Sequence, residues 1–393
     1  MGSFSKWVGQ IAGHLQSNHV SDSFKPHGDE LCEVVLELIK KENDVEKLKD
    51  YLKALPHMVN IVQCDESIEP RRNWMAIWKT MNKMITGHKN ERLRSWCIQT
   101  VADCIENINP EMLSVTDVNE IGLMVKNVME KELKKRDKVS DVIVSDHDKH
   151  HIQHNDRRLN NAVNVLLKLL EKKVSIVHIL QPLMPFVFPL IDKSSSKHWG
   201  VRLISILIGF LPEFTFEFRH QIAPLLYQSL NDDDHIMIRG CALHSFGLMA
   251  VSNLSEWKKI AVSSLDSICV LIERVNGRVL GQMVVTEEAV SAAIKIIDNC
   301  DEKLVGVGRI NEILSRFLSW FPFTGESREC NTIYRFLLDL IESGHFSTSV
   351  EPNLNSPRLL FILTKAIHDE AVNDNEVKNK VIRMIRHMAV SGN

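Results

Sequence analysis

The chain has 393 residues, 44% of them hydrophobic, with 47 Lys plus Arg against 50 Asp plus Glu and a formal charge of -3. That length can bury one large core or a row of small stacked ones. The near-neutral balance leaves no electrostatic footprint for direct nucleic-acid binding.

With only 17 Gly, 12 Pro and 3 Tyr, the chain lacks the tight-turn residues of an all-β protein and is rich in helix formers, so an all-α fold is expected. The eight cysteines (32, 64, 97, 104, 241, 269, 300 and 330) form no C-x-x-C pair and mostly fall in apolar helical runs. This is the pattern of reduced, buried thiols in the cytosol or nucleus. The N-terminal MGSFSKWVGQIAGHLQ has no long apolar core, and Lys6 stands where a myristoylation site needs Ser or Thr, so no targeting signal is expected. The most apolar run, 179 to 191, is broken by Pro182, Pro185 and Pro189. No run approaches the roughly 20 residues of a membrane span.

Residues 1–28 show little apolar periodicity and read as a disordered N-terminus or a partial cap. From Asp29 the pattern is helical. Leu31, Val34, Val35, Leu38 and Ile39 form one stripe, and Asn43-Asp44-Val45 opens a second helix that the sequence ends near Pro56. After Pro70 a further pair follows, with Trp74, Ile77, Trp78, Met81 and Ile85 on one face and Leu93, Cys97, Val101 and Ile105 on the next. Residues 29–138 therefore read as helical hairpins, closing in the charged run EKELKKRDK. Residues 139–156 carry no apolar stripe and read as a polar loop. Hairpins resume over 157–393, with helix-length segments at 257–275, 284–297, 314–321, 334–342, 359–368 and 377–388.

One unit occurs twice between Lys197 and Ala250. Trp199-Gly200-Val201-Arg202 leads into Ile204, Leu207 and Ile208, and Asn231-Asp232-Asp233-Asp234 leads into Ile236, Ile238-Arg239, Ala242 and Gly247. The two arginines stand 37 positions apart, about one HEAT-type repeat of two antiparallel helices. Asp232 and its neighbours are expected to cap the following helix. Arg202 and Arg239 are expected to bridge to a carboxylate of the next hairpin. The whole chain thus reads as an all-α HEAT-repeat solenoid, an armadillo-like α-α superhelix of about eight hairpins.

Little suggests catalysis. No H-E-x-x-H, G-x-S-x-G, Walker loop or G-x-G-x-x-G is present. His147, His150, His151 and His154 would converge on a metal if they lay on one helix. Their polar setting, SDHDKHHIQHND, reads instead as a solvated loop. The sequence assigns no catalytic residue, metal or cofactor. Trp78 and Asn82, four residues apart, can share a helix face, and an indole with an amide can hold an extended peptide backbone. Such W-x-x-x-N pairs line the peptide groove of armadillo transport adaptors, but Trp78 also falls on the apolar stripe, where it would be core. Trp199 has the same two readings, a wedge between hairpins or a cargo contact.

Several motifs then follow in a specific order: KHWGV at 197–201, D-x-x-x-I-M-I-R-G-C-A-L-x-S-F-G-L-M-A at 232–250, TEEAVSAAIKI at 286–296, LSWFPF at 318–323, DLIESGH at 339–345 and VIRMIRHMAVSG at 381–392. Together they resemble the C-terminal part of the importin beta (karyopherin beta) family, from roughly Asp29 onward. The resemblance implies a superhelix of HEAT repeats that binds protein cargo on a concave surface for nuclear import. It also implies nucleoporin contacts, basic nuclear or ribosomal proteins as cargo, and residence in cytoplasm and nucleus. The family's main Ran-binding surface lies in N-terminal repeats without a counterpart here, which leaves Ran GTPase as a doubtful partner. Glu288 stands where relatives carry Asn and joins Trp78, Asn82 and Trp199 as a candidate cargo contact. A HEAT scaffold or adaptor without Ran-regulated transport is the alternative.

Overall fold

The computed structural model describes residues 28–62, 70–138, 146–192, 197–231, 235–274, 282–325, 327–344 and 352–391. Among these all regular structure is helical, and the chain divides into two compact units at Trp199 and Gly200. The first unit holds α1 (Gly28–Lys41), α2 (Val45–Val62), α3 (Pro70–Gly87), α4 (Glu91–Asn107), α5 (Val115–Lys138), α6 (Asp146–Glu171), the short α7 (Val177–Leu180) and α8 (Met184–Asp192). Helix α9 (Lys197–Phe210) carries the chain into the second unit. There follow α10 (Pro212–Phe216), α11 (Arg219–Leu230), α12 (Ile236–Val251), α13 (Ser255–Ile272), α14 (Met283–Asn299), α15 (Glu302–Val305), α16 (Val307–Phe317), α17 (Cys330–Glu342), α18 (Pro352–His368) and α19 (Asn375–Ser391).

Each unit is a stack of helix pairs in two layers. In the first, α2, α4 and α6 pack in succession as one layer, with α1 beside α3 in the other. In the second, α12, α14, α17 and α19 form the corresponding layer of second helices. The reason is amphipathicity: α1 buries Cys32, Val35, Leu36 and Ile39, a stripe at helical spacing, and such a stripe is stable only against another helix.

Local polar chemistry sets the ends. Asp44 Oδ1 accepts from the backbone N–H groups of Glu46 and Lys47 at the start of α2, and Asn90 accepts from Leu93 N–H at α4. At α5, Ser114 donates from backbone and hydroxyl to Asp117, and the Asp117 N–H returns a bond to the Ser114 hydroxyl. This is the reciprocal logic of a capping box.

Successive pairs are tied at one repeat length. Asn73 donates to Asp29, Trp78 Nε1 to Glu120 at 2.6 Å and Lys135 to Glu91 at 2.7 Å in the first unit. In the second, Trp257 Nε1 donates to the Pro212 carbonyl, Arg239 to Gln282 and Arg316 to Glu273. These ties span 42 to 45 residues. Arg239 is bonded to Gln282, an amide, where a carboxylate of the next hairpin was expected. In the first unit the Arg158 guanidinium also meets Glu132 at 2.8 Å, with both side chains at most 4% exposed.

Two expectations need correction. Helix α2 does not stop at Pro56 but runs through it to Val62. Met58 and Val59 continue the buried stripe beyond it, and their burial offsets the hydrogen bond that proline removes. The polar loop expected over 139–156 is helical from Asp146 onward as the first turns of α6; residues 139–145 lie outside the described residues. Nothing from Asp146 to Asp156 is Gly or Pro, so a helix fixed downstream by Leu159, Val163 and Leu166 propagates upstream without a breaker. The cap of α12 is His235, which makes no side-chain cap bond. Asp232, expected to cap it, lies outside the described residues, as does the N-terminus to residue 27.

Candidate functional site

Helix α14 is wrapped by α12, α13 and α17, and 12 of its 17 residues are buried. Among the remainder, Val284, Glu288 and Lys295 are half-buried and spaced by four and seven, which puts them on one open stripe. The approach of α12 is close because Gly247 lies against Ala292 and Lys295, where a Cβ would already be within 3.1 Å of the Lys295 side chain.

The two adjacent glutamates of TEEAV point to different tasks. Glu287 is fully buried. Its Oε1 accepts backbone N–H bonds from Thr324 (3.0 Å) and Gly325 (2.8 Å), and its Oε2 accepts from Ser327 N–H at 2.6 Å. A carboxylate is the group that can take several amide donors at once, so Glu287 pins the segment after the LSWFPF motif. Around that motif sits an aromatic cluster in which Phe317 packs edge-on against Trp320 and Phe321, and Phe321 against Phe323 and Tyr334.

Glu288, one residue on, faces the open stripe. Its Oε1 accepts from the Ser327 hydroxyl at 2.6 Å, while Oε2, a buried atom, has no hydrogen-bond partner. His244 of α12 places Nδ1 3.5 Å from that oxygen and 3.4 Å from Oε1 of Glu329, just ahead of α17. Glu329 Oε2 is held by the Lys295 ammonium at 2.5 Å and the Ser291 hydroxyl at 2.6 Å. Burial pushes the Glu329 carboxyl up, but Lys295, Ser291 and His244 outweigh it and hold the group below the usual carboxylate range. One turn before His244, burial pushes the Cys241 thiol up to about 11, so it stays protonated at neutral pH. Three consecutive second-layer helices thus deliver polar groups to one spot.

The other candidates lie elsewhere. Trp78 is 3% exposed, stacks on Trp74 with ring centroids 6.4 Å apart and spends its indole N–H on Glu120. A groove tryptophan needs an open ring face, so the cargo contact expected of Trp78 is corrected to a core role. Asn82 is half-buried on α3 and lines a cavity of about 340 Å³ with Glu120, Leu123, Lys131, Arg94 and Arg158. Trp199 is half-buried and lies over His198, with ring centroids 4.0 Å apart. Arg202 is half-buried near Cys241, and burial pulls its pKa down. Asn82 and Trp199 belong to the first unit and Glu288 to the second.

Sequence reasoning missed Glu287, His244 and Glu329. The first had a usable signal: on α14, residue 287 shares the buried face with Val290, Ser291 and Ile294 while 288 shares the open one with 284 and 295. The other two had none, because their partners lie 34 or more residues away on other helices.

No protein-family model matches the sequence. Solved structures do match it. The karyopherin Kap121p bound to the SUMO protease Ulp1p is similar over 96% of this chain, with a TM-score of 0.78 and 14% identity. Kap121p bound to Ste12p gives 0.77 and 12% over 96%, and Kap121p bound to RanGTP gives 0.76 and 12% over 97%. The chain spans about a third of the length of these structures, 34% in each case. Its fold is that of the karyopherin helical solenoid.

Proposed function

We propose that this chain, folded as a karyopherin-type solenoid, is a nuclear transport receptor-like protein that binds protein cargo for import into the nucleus. The observation that carries the reading is the breadth of the likeness: 96% of the chain superposes on one karyopherin at a TM-score of 0.78. That karyopherin is seen with Ulp1p, Ste12p, Pho4p and Nup53p in separate structures. Solenoids of this kind bind along extended concave surfaces because each repeat adds a small rotation. On this reading the protein is a binding protein rather than an enzyme, shuttles between cytoplasm and nucleus, and meets basic nuclear or ribosomal cargo and nucleoporins. Asn82, Trp199 and Glu288 are its candidate cargo contacts, Glu288 through attraction to a basic side chain. Arg202 and Arg239 serve the joints between repeats.

The test is capture of cargo on the immobilised chain with and without GTP-locked Ran. A basic nuclear protein that is retained, is released by Ran, and binds more weakly to Trp199→Ala or Glu288→Gln supports the reading. Trp78→Phe, a core change, should leave that binding intact. A fixed set of partners that Ran never releases overturns regulated transport and leaves a HEAT scaffold.

A further inference from the structure

We infer that His244, Glu288 and Glu329 form a zinc-binding site across helices α12, α14 and the start of α17. The three ligand atoms, His244 Nδ1, Glu288 Oε2 and Glu329 Oε1, lie within 4.8 Å of one another. Zinc bonds to nitrogen and carboxylate oxygen are about 2.0–2.2 Å, so the edge between two ligand atoms of a tetrahedral zinc site is about 3.3–3.6 Å. The nitrogen-to-oxygen edges here are 3.5 Å and 3.4 Å. Those distances are too long for good imidazole hydrogen bonds, yet they match two edges of such a tetrahedron.

The surroundings are those of a prepared site. Each carboxylate has one oxygen fixed by the protein, Glu288 Oε1 by the Ser327 hydroxyl and Glu329 Oε2 by Ser291 and Lys295. Each turns its other oxygen toward the same imidazole nitrogen. Partners that orient a ligand from behind are what tune metal sites. The Glu288 oxygen on the open side is buried and has no hydrogen-bond partner, a costly state that a cation relieves. With His244 neutral, two carboxylates and one ammonium sum to a single negative charge, which a divalent ion reverses, so zinc and a basic cargo side chain would compete for Glu288. One nitrogen and two oxygens suit zinc, with water in the fourth position. A bound ion would join three successive second-layer helices through one centre.

The test uses the full chain with His147, His150, His151 and His154 replaced by Ala, because those histidines can also take zinc. Zinc alone is titrated against a chromogenic competitor at pH 7, and cobalt is added in parallel for its visible absorption. The expected result is one equivalent per chain with a four-coordinate cobalt spectrum, both lost in His244→Ala. Glu288→Gln, which keeps an oxygen for the Ser327 hydroxyl, should weaken binding by at least the roughly 10–100-fold typical of disturbing an outer-shell partner. Helix content by circular dichroism should be unchanged in both variants. If His244→Ala does not fold, Glu288→Gln decides alone. Absence of binding, or an equivalent that survives Glu288→Gln at full affinity, overturns the site. Neither cargo nor Ran enters this measurement, so its failure leaves the transport reading standing.

Discussion

Glu287→Gln tests whether one buried carboxylate holds the segment that follows the aromatic motif. In the wild type, Thr324, Gly325 and Ser327 donate three backbone bonds to it. Glutamine keeps one oxygen, which can retain Thr324 and Gly325, but sets an NH2 group against the Ser327 N–H. A hydrogen bond to a charged group contributes about 1.5–3 kcal/mol, and an orphaned buried donor costs about 1–3 kcal/mol. Ser327 is 5% exposed, so water does not replace the lost partner. The expected cost of local opening is therefore about 3–5 kcal/mol. At about 1.4 kcal/mol per tenfold, that is a fall in amide protection of roughly a hundredfold to several thousandfold. Native-state hydrogen exchange read at Thr324, Gly325 and Ser327 measures it directly, with α12 amides as internal control. Protection at those amides within about threefold of wild type, well under 1 kcal/mol, would refute the clasp.

Three further outcomes follow from the packing. Glu132→Leu leaves the buried Arg158 guanidinium without its nearest carboxylate and should cost about 3–5 kcal/mol in denaturant melts, whereas adding Arg158→Met should restore most of the loss. Gly325→Ala should lower the melting temperature, since Gly325 has φ +79° and its new Cβ would stand 2.7 Å from Ala371 Cα; Ala371→Gly should not rescue it, because the obstructing atoms are backbone. The Glu329 carboxyl lies below its ordinary value of 4.5 in the folded protein, so its stabilisation is complete above that pH and is lost as pH falls through the folded value. The melting-temperature gap between wild type and Lys295→Met should therefore be widest near neutrality and close below about pH 4.5.

The layered fold was legible because amphipathic stripes carry most of the information about helix pairs. Leu93, Cys97, Val101 and Ile105 predict a buried face and are buried. Pro56 misled because a propensity rule was applied where tertiary burial wins, and the start of α6 was missed because polar turns without a breaker look like a loop. The site was legible only in part. Glu288 was named, but its meaning depends on His244 and Glu329, which sequence distance hides. Trp78 fitted both a groove and a core, and its burial against Trp74, together with the indole bond to Glu120, decides for the core.

The ties one repeat apart also have a mechanical consequence. Pulled from its ends, a chain whose ties in the first unit run from 42 residues (Trp78 to Glu120) to 67 (Arg158 to Glu91) loads neighbouring helix pairs in turn. It should peel pair by pair, each release freeing about 40 residues, or roughly 140 Å of contour length. A protein built this way yields under tension in small steps, like a tether paid out link by link, and can recoil as each pair finds its neighbour again.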